Sequence, residues 1–245
     1  MPTAPAADQL KLLDVQAADL RAQQAIHRRA HLPVLAQLDE LTGRVVDLSD
    51  ERAARGAVVG DARREVTKIE DDVAAVRARA ARDNARLASG QGTPKDLQAL
   101  SSELEVLNRR VSDLEDTELE VMERLEEAEK ELASADTQHR EIAAQIAELE
   151  RERDLAFAAI DAELEQIKAE RTAAAEGIDT TLLGLYAKLR DANGGIGAAA
   201  LLRGQCQGCN MTLNAGDLAV IEAAAPEQVV RCEECGRILV RGASV

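Results

Sequence analysis

The chain has 245 residues and a formal net charge of -15. One Phe, one Tyr and no Trp leave too few large side chains for the thick core of a single compact globule, whereas Leu, Val, Ile and Ala suffice for a thin seam between helices. No stretch approaches the roughly 20 apolar residues of a membrane span, and residues 1–14 lack the basic-then-apolar order of a signal peptide. We therefore predict a cytoplasmic protein with no membrane partner.

The acidic charge is unevenly distributed. Residues 177–245 hold six Lys or Arg and seven Asp or Glu, so -14 of the net charge lies in residues 1–176. Such a surface repels nucleic acid at long range, because phosphate binding requires clustered Lys and Arg.

Two heptad registers fill residues 1–176. Alternate steps of three and four residues from Leu10 to Leu87 pass through 23 positions, of which 17 are apolar, and a second register from Leu97 to Ala174 has 18 apolar positions among 23. Repeats of this length specify supercoiled helices whose seam faces a partner. The glycines and Pro94 of residues 88–96 predict a reversal between them. The fold class is therefore mainly α, a long antiparallel coiled-coil helical hairpin over residues 1–176.

The hairpin has one weak region, near Pro33. Gln24, His27 and His31 place polar side chains in the first register, and Pro33 removes a backbone donor. We predict a kink near residue 33. The two histidines lack the intervening carboxylate of an HExxH metal motif, so a solvated or packing role is favoured. Further along, acids of residues 103–131 face a basic stretch of residues 52–79. These charges are predicted to set the pairing of the arms, with a ligand-binding strip as the alternative.

The heptads fade after Ala174. Residues 177–197 predict a short amphipathic helix around Leu182–Arg190, followed by the glycine-rich segment Asn193–Gly197, which we interpret as a flexible hinge. The remainder, residues 198–245, is predicted to be a small β-rich domain.

Two CxxC pairs, Cys206/Cys209 and Cys232/Cys235, stand 22 residues apart. Each pair can bring two thiolates to one ion, and two pairs complete the tetrahedron that Zn²⁺ prefers. A thioredoxin-like redox pair would require a βαβ context, which is missing. The sequence therefore predicts a C4 zinc ribbon that holds one structural Zn²⁺. Four cysteine ligands leave no open coordination position, and no other catalytic constellation is legible, so we predict that the protein is not an enzyme.

A family resemblance rests on this C-terminal part. The helix Leu185–Arg190, the knuckle Cys206–Cys209 and the ending Cys232–Leu239 resemble the bacterial C4-type zinc-ribbon proteins with an N-terminal coiled coil, long catalogued as a domain of unknown function. The resemblance implies a zinc-stabilised ribbon on a helical hairpin. It also implies nucleic-acid binding or partners in the transcription apparatus, including sigma-54.

Two functions follow as hypotheses. The first is an adaptor that uses the coiled coil and the ribbon to bind a protein partner. The second is nucleic-acid binding by the ribbon, through phosphate contacts of Arg203, Arg231, Arg237 and Arg241. The ribbon has no aromatic side chain on which a base could stack, which favours the adaptor. The sequence is compatible with a monomer or, through an exposed seam, a dimer.

Overall fold

The computed structural model describes residues 2–243 and confirms the predicted fold class: long helices form a coiled-coil hairpin, and a small strand-rich region follows at the C-terminal end. The helices are α1 (Ala6–Ala30), α2 (Pro33–Ala88), α3 (Pro94–Ala175), α4 (Thr180–Ala192) and α5 (Ala215–Ala223). Two compact units form, one from residues 37–150 and the other from the residues up to Ala36 together with those from Arg151 onward. No helix within residues 2–243 has the length and hydrophobicity needed to cross a bilayer.

The unit of residues 37–150 is the hairpin unit, in which α2 and α3 run antiparallel. Its seam buries apolar side chains that all occupy predicted heptad positions: Leu38, Val59, Ile69, Val73, Leu107, Leu114, Val121, Ala135 and Ile142. Exposed cross-helix ion pairs flank this seam, among them Arg63 with Glu129 and Arg124 with Glu65. Apolar burial supplies most of the stability here, because exposed pairs contribute little.

The reversal between α2 and α3 is built from glycines and a capping box. Gly90 and Gly92 have φ values of 60° and 133°, which glycine adopts without strain because it has no Cβ. The Asp96 carboxylate accepts hydrogen bonds from the Thr93 backbone N–H at 3.0 Å and from its hydroxyl at 2.7 Å. These bonds hold the pKa of Asp96 below its usual value. The same interactions satisfy donors at the start of α3.

The second unit, the ribbon unit, contains a four-stranded sheet. Its strands are β1 (Ala198–Leu202), β2 (Gln205–Cys206), β3 (Val230–Arg231) and β4 (Ile238–Val240). The spatial order is β2-β1-β4-β3, with β1 parallel to β4 and the other neighbours antiparallel. Arg203 and Gly204 join β1 to β2, both with positive φ, as a two-residue hairpin turn requires.

This sheet separates two apolar cores, because successive side chains along a strand point to opposite faces. Ile238 and Val240 pack with Leu12 and Val15 of α1 and with Tyr186 of α4. Leu239, between them, faces the other core, which contains two of the cysteines and α5. The ribbon therefore does not depend on metal alone, since one face of its sheet shares a core with α1 and α4.

The heptad register predicted for the first 30 residues is wrong. Leu10 and Leu20 were expected in the seam but are exposed, whereas Leu12 and Val15 are fully buried. The physical reason is that α1 packs on α4 and the sheet as well as on α3, so its buried face is set by several neighbours. Residues 31 and 32 separate α1 from α2, and the register of α2 need not continue that of α1.

Candidate metal centre

The four cysteines come together at two knuckles of the ribbon. Cys206 ends β2, and Cys232 directly follows β3, so each first cysteine is fixed by a strand. Both are fully or almost fully buried, while Cys209 and Cys235 are half-buried. The four Sγ atoms all lie within 4.8 Å of one another.

The two knuckles repeat the same backbone bonds. In the first, the Asn210 N–H donates to the Cys206 carbonyl at 2.8 Å, and in the second the Gly236 N–H donates to the Cys232 carbonyl, also at 2.8 Å. Asn210 and Gly236 both have positive φ, 59° and 71°, a conformation that Gly and Asn tolerate best. In each knuckle the side chain of the residue before the first cysteine also donates a hydrogen bond across the loop.

This closing bond comes from Gln205 in the first knuckle and Arg231 in the second. The Gln205 side chain donates to the Asn210 carbonyl at 2.8 Å, and the Arg231 Nε donates to the Gly236 carbonyl at 2.7 Å. Gly208 is required for space: a Cβ there would lie 2.8 Å from Arg237 Cδ and 2.9 Å from the Ala199 Cβ.

The thiol geometry fits a tetrahedral zinc ion. With Zn–S bonds of about 2.3 Å, the edges of a regular tetrahedron are about 3.8 Å. The Sγ atoms of Cys206 and Cys235 are 3.9 Å apart, as are those of Cys209 and Cys232. A disulfide would require about 2.05 Å. The arrangement is consistent with one structural Zn²⁺, which when bound would link the two knuckles and leave no position for a substrate.

The electrostatic surroundings differ among the thiols. Burial raises the pKa of Cys206 and raises that of Cys232 to about 12. Burial also acts on Cys235, but hydrogen bonds from the Arg237 backbone N–H and guanidinium, with those from the Cys232 and Cys209 thiols, outweigh it and lower the pKa of Cys235 to about 7. The backbone amides that point at sulfur in both knuckles suit bound thiolates.

Three of the four arginines predicted to contact phosphate are hydrogen-bonded to the ribbon's own backbone. Arg231 donates to Gly236, as described. Arg237 donates to the carbonyls of Ile196 and Asn193, at 3.0 and 2.9 Å. Arg241 donates to five carbonyls that follow or end α5: Ile221, Ala224, Ala225, Pro226 and Gln228. Arg203, at the β1–β2 turn, is exposed, and so is Arg231, whereas Arg237 and Arg241 are half-buried. Phosphate contact by these residues remains a prediction.

The glycine-rich segment Asn193–Gly197, predicted to be a flexible hinge, is held from two sides. The Gln16 side chain of α1 donates to the Gly195 carbonyl at 2.9 Å and accepts from the Gly197 N–H at 2.8 Å, and Arg237 holds it from the ribbon. A Cβ on Gly197 would lie 2.5 Å from the Tyr186 carbonyl oxygen. The glycines therefore allow close packing and unusual φ angles at this connection, and its flexibility as a hinge stays a prediction.

A buried polar cluster next to this segment was missed by the sequence analysis. Asp19 of α1 accepts hydrogen bonds from the Tyr186 hydroxyl at 2.7 Å, from Arg190 at 3.0 Å and from Arg171. Burial raises the pKa of Asp19, but these bonds outweigh it and hold that pKa below its usual value. Burial and the Asp19 carboxylate together raise the pKa of Tyr186. The one available sequence signal was Tyr186, the only tyrosine of the chain.

Comparisons with known proteins agree with this geometry. A model of the CT398-like coiled coil hairpin domain matches residues 15–194, and a model of the C4-type zinc ribbon domain matches residues 205–239. An uncharacterized protein of Mycobacterium tuberculosis is 36% identical over 235 residues, which cover 96% of each chain.

Two solved structures extend the comparison. A Mycobacterium smegmatis protein has a TM-score of 0.86 and 35% identity, covering 98% of this chain and 100% of its own. CT398 from Chlamydia trachomatis has a TM-score of 0.69 at 16% identity, covering 96% and 98%, which shows a shared fold.

Proposed function

Because this chain belongs to the family of CT398-like coiled-coil hairpin proteins and carries a C4-type zinc ribbon, we propose that it is a non-enzymatic adaptor that binds a protein partner. Neither domain is of an enzymatic kind, and four cysteines around one ion leave no coordination position for a substrate. The ion's role in this proposal is to hold the ribbon in shape, so that its surface can be recognised.

The observation that carries the proposal is the exposure of large apolar side chains on a ribbon that has few of them. Val220 of α5 is 72% exposed and Met211, next to the first knuckle, is 51% exposed. These two side chains are the large apolar groups that the ribbon offers to a partner, and apolar surface of this kind supports a protein contact where it forms part of a contiguous patch.

The alternative, nucleic-acid binding through the ribbon, has weaker support. The guanidinium groups of Arg231, Arg237 and Arg241 all donate to backbone carbonyls, so phosphate contact by Arg237 or Arg241 would compete with bonds that hold the ribbon together. From Gly197 onward the chain has four Arg and five Asp or Glu, which offers no net positive charge to a phosphate backbone.

Affinity purification from the native cell tests the adaptor function, with the wild-type chain compared with the Cys232→Ser variant. We expect a protein whose capture requires the intact ribbon and which then binds the purified chain directly in calorimetry. Identical captured sets for the two chains would count against a ribbon-mediated adaptor. Partners in the transcription apparatus, which the family resemblance implies, are the first candidates for the direct measurement.

A salt titration with mixed-sequence DNA and RNA distinguishes the alternative. Phosphate contacts would give an affinity that falls steeply with salt concentration. For an adaptor we expect no binding even at low salt, and a steep salt dependence that Arg203→Ala weakens would instead favour nucleic acid.

A further inference from the structure

The outer edge of β3 points backbone hydrogen-bonding groups away from the sheet. The Cys232 N–H donates to the Arg237 carbonyl at 2.9 Å, so in this antiparallel ladder the adjacent pair, Arg231 and Ile238, has its backbone groups facing outward. The Ile238 N–H accordingly donates to Gly197 on the β1 side, at 2.9 Å. The N–H and C=O of Arg231 therefore point to the edge, where no hydrogen-bond partner from residues 2–243 meets them.

The same edge already pairs with an extended segment one step away. The Val229 N–H donates to the Pro2 carbonyl at 3.0 Å, and the Ala4 N–H donates to the Glu227 carbonyl at 2.8 Å. Thr3 and Gln228 thus form an antiparallel bridge. Residues 227–229 therefore already pair with an added strand. The backbone N–H and C=O of Arg231 lie on the same edge, two residues further along.

A groove of mixed polarity lies beside Arg231. It has a volume of about 490 Å³ and is lined by α5 and the residue after it, by β3, and by Pro2 of the paired N-terminal segment. Val220, Ala224 and Val230 are among its apolar lining residues. Val230 faces the core on the α5 side of the sheet, so a strand paired with Arg231 would direct its neighbouring side chain toward Val220.

We propose that this β3-edge groove (Val220, Ala224, Val230 and Arg231) binds an extended peptide segment of a partner protein as an additional β-strand. The inference rests on the proposed adaptor function and assigns the surface through which the ribbon acts. Backbone bonds to Arg231 supply affinity, and an apolar side chain seated against Val220 supplies specificity. The residue opposite Arg231 must have a free N–H, which excludes proline there.

A second copy of this chain is a poorer occupant of the same edge. Antiparallel pairing of two β3 strands about a twofold axis at Arg231 would place two arginines directly opposite each other, and like charges in that position are destabilising. A peptide from another protein has no such restriction, and an acidic residue opposite Arg231 would be favoured.

A displayed library of random octapeptides, selected on the zinc-loaded full-length chain, tests the proposal. We expect enriched peptides that combine an apolar residue with a neighbouring non-proline residue. A synthetic peptide of this kind should bind Val220→Glu at least tenfold more weakly than the wild type in fluorescence anisotropy. Proline at the paired position should abolish binding, and amide NMR shifts should concentrate at residues 229–232.

Val58→Glu is the matched control, because Val58 of α2 is 57% exposed and lies in the hairpin unit; it should bind the peptide as the wild type does. Circular dichroism and zinc content establish that both variants are folded. No enrichment over the starting library, or peptides that bind Val220→Glu as strongly as wild type, would overturn the groove assignment. A native partner that needs the intact ribbon yet binds Val220→Glu normally would also overturn it, while leaving the adaptor function in place.

Discussion

The hairpin unit and the ribbon unit are stabilised in different ways. Residues 37–150 bury one apolar side chain after another along a repeating seam, with exposed ion pairs at its borders. The ribbon unit concentrates its stability in a zinc site, two small cores on opposite faces of one sheet, and a buried polar cluster around Asp19. A single change in the hairpin unit should therefore have a small effect, whereas one in the ribbon unit can remove a feature that several elements share.

The largest effect is expected from loss of zinc. Cys232→Ser should abolish stoichiometric zinc binding and unfold the sheet, because a structural zinc contributes roughly 10–16 kcal/mol in zinc-finger peptides. In hydrogen exchange followed by mass spectrometry, residues 238–240 should lose most of their protection. Residues 69–73, in the seam of the hairpin unit, should keep theirs.

Met211→Ser is the control for this experiment, since it changes an exposed side chain beside the first knuckle and should leave zinc and protection unchanged. If residues 238–240 stay protected in zinc-free Cys232→Ser, the core that Ile238 and Val240 share with α1 and α4 would be sufficient to hold the sheet. The difference between the two units would then lie in the shared core rather than in the metal.

The next effect is expected at the buried carboxylate of α1. Asp19→Asn leaves Arg171 and Arg190 without their shared anion, and removing one partner of a buried pair costs roughly 3 kcal/mol or more. In urea unfolding monitored by Tyr186 fluorescence, we expect Asp19→Asn to lower the free energy of unfolding by about 3 kcal/mol. Tyr186→Phe should lower it by about 1 kcal/mol, measured by circular dichroism. The control Glu163→Gln removes the exposed pair with Arg28 and should cost less than 1 kcal/mol.

Acid pH should reduce the difference in the free energy of unfolding between the wild type and Asp19→Asn. The folded-state pKa of Asp19 lies below its ordinary value of 3.8, so its contribution is fully present above that value and is lost as the pH falls through the folded pKa. The test is to measure urea midpoints for both chains from pH 6 down to pH 2. Because both chains release zinc in acid, that effect cancels in the difference between their midpoints at each pH. A difference that stays constant over this range would show that Asp19 does not act through its charge.

The difference between the hairpin unit and the ribbon unit also explains how much of each could be predicted from the sequence. Residue spacing alone predicts the seam of α2 and α3 and the zinc ligands, because a heptad and a CxxC pair are local patterns with a direct geometric meaning. The buried face of α1 and the clamp on Asn193–Gly197 depend on contacts over more than 160 residues, such as Gln16 with Gly197. No local pattern encodes that pairing, so the sequence could not predict these contacts.

The smallest effect is expected at Asp83, the buried acid of the hairpin seam. Asp83 is 9% exposed, its Oδ2 has no hydrogen-bond partner, and the nearest cationic atom in the described structure is the Arg79 Nε at 3.9 Å. A desolvated carboxylate oxygen of this kind is costly, so Asp83→Leu should stabilise the unit by about 1–2 kcal/mol. Thermal unfolding followed by circular dichroism measures this change, with the exposed Asp72→Leu as the control that should alter stability by less than about 0.5 kcal/mol. A loss of stability in Asp83→Leu would mean that the seam depends on this acid, so that even the regular unit contains a polar position required for its pairing.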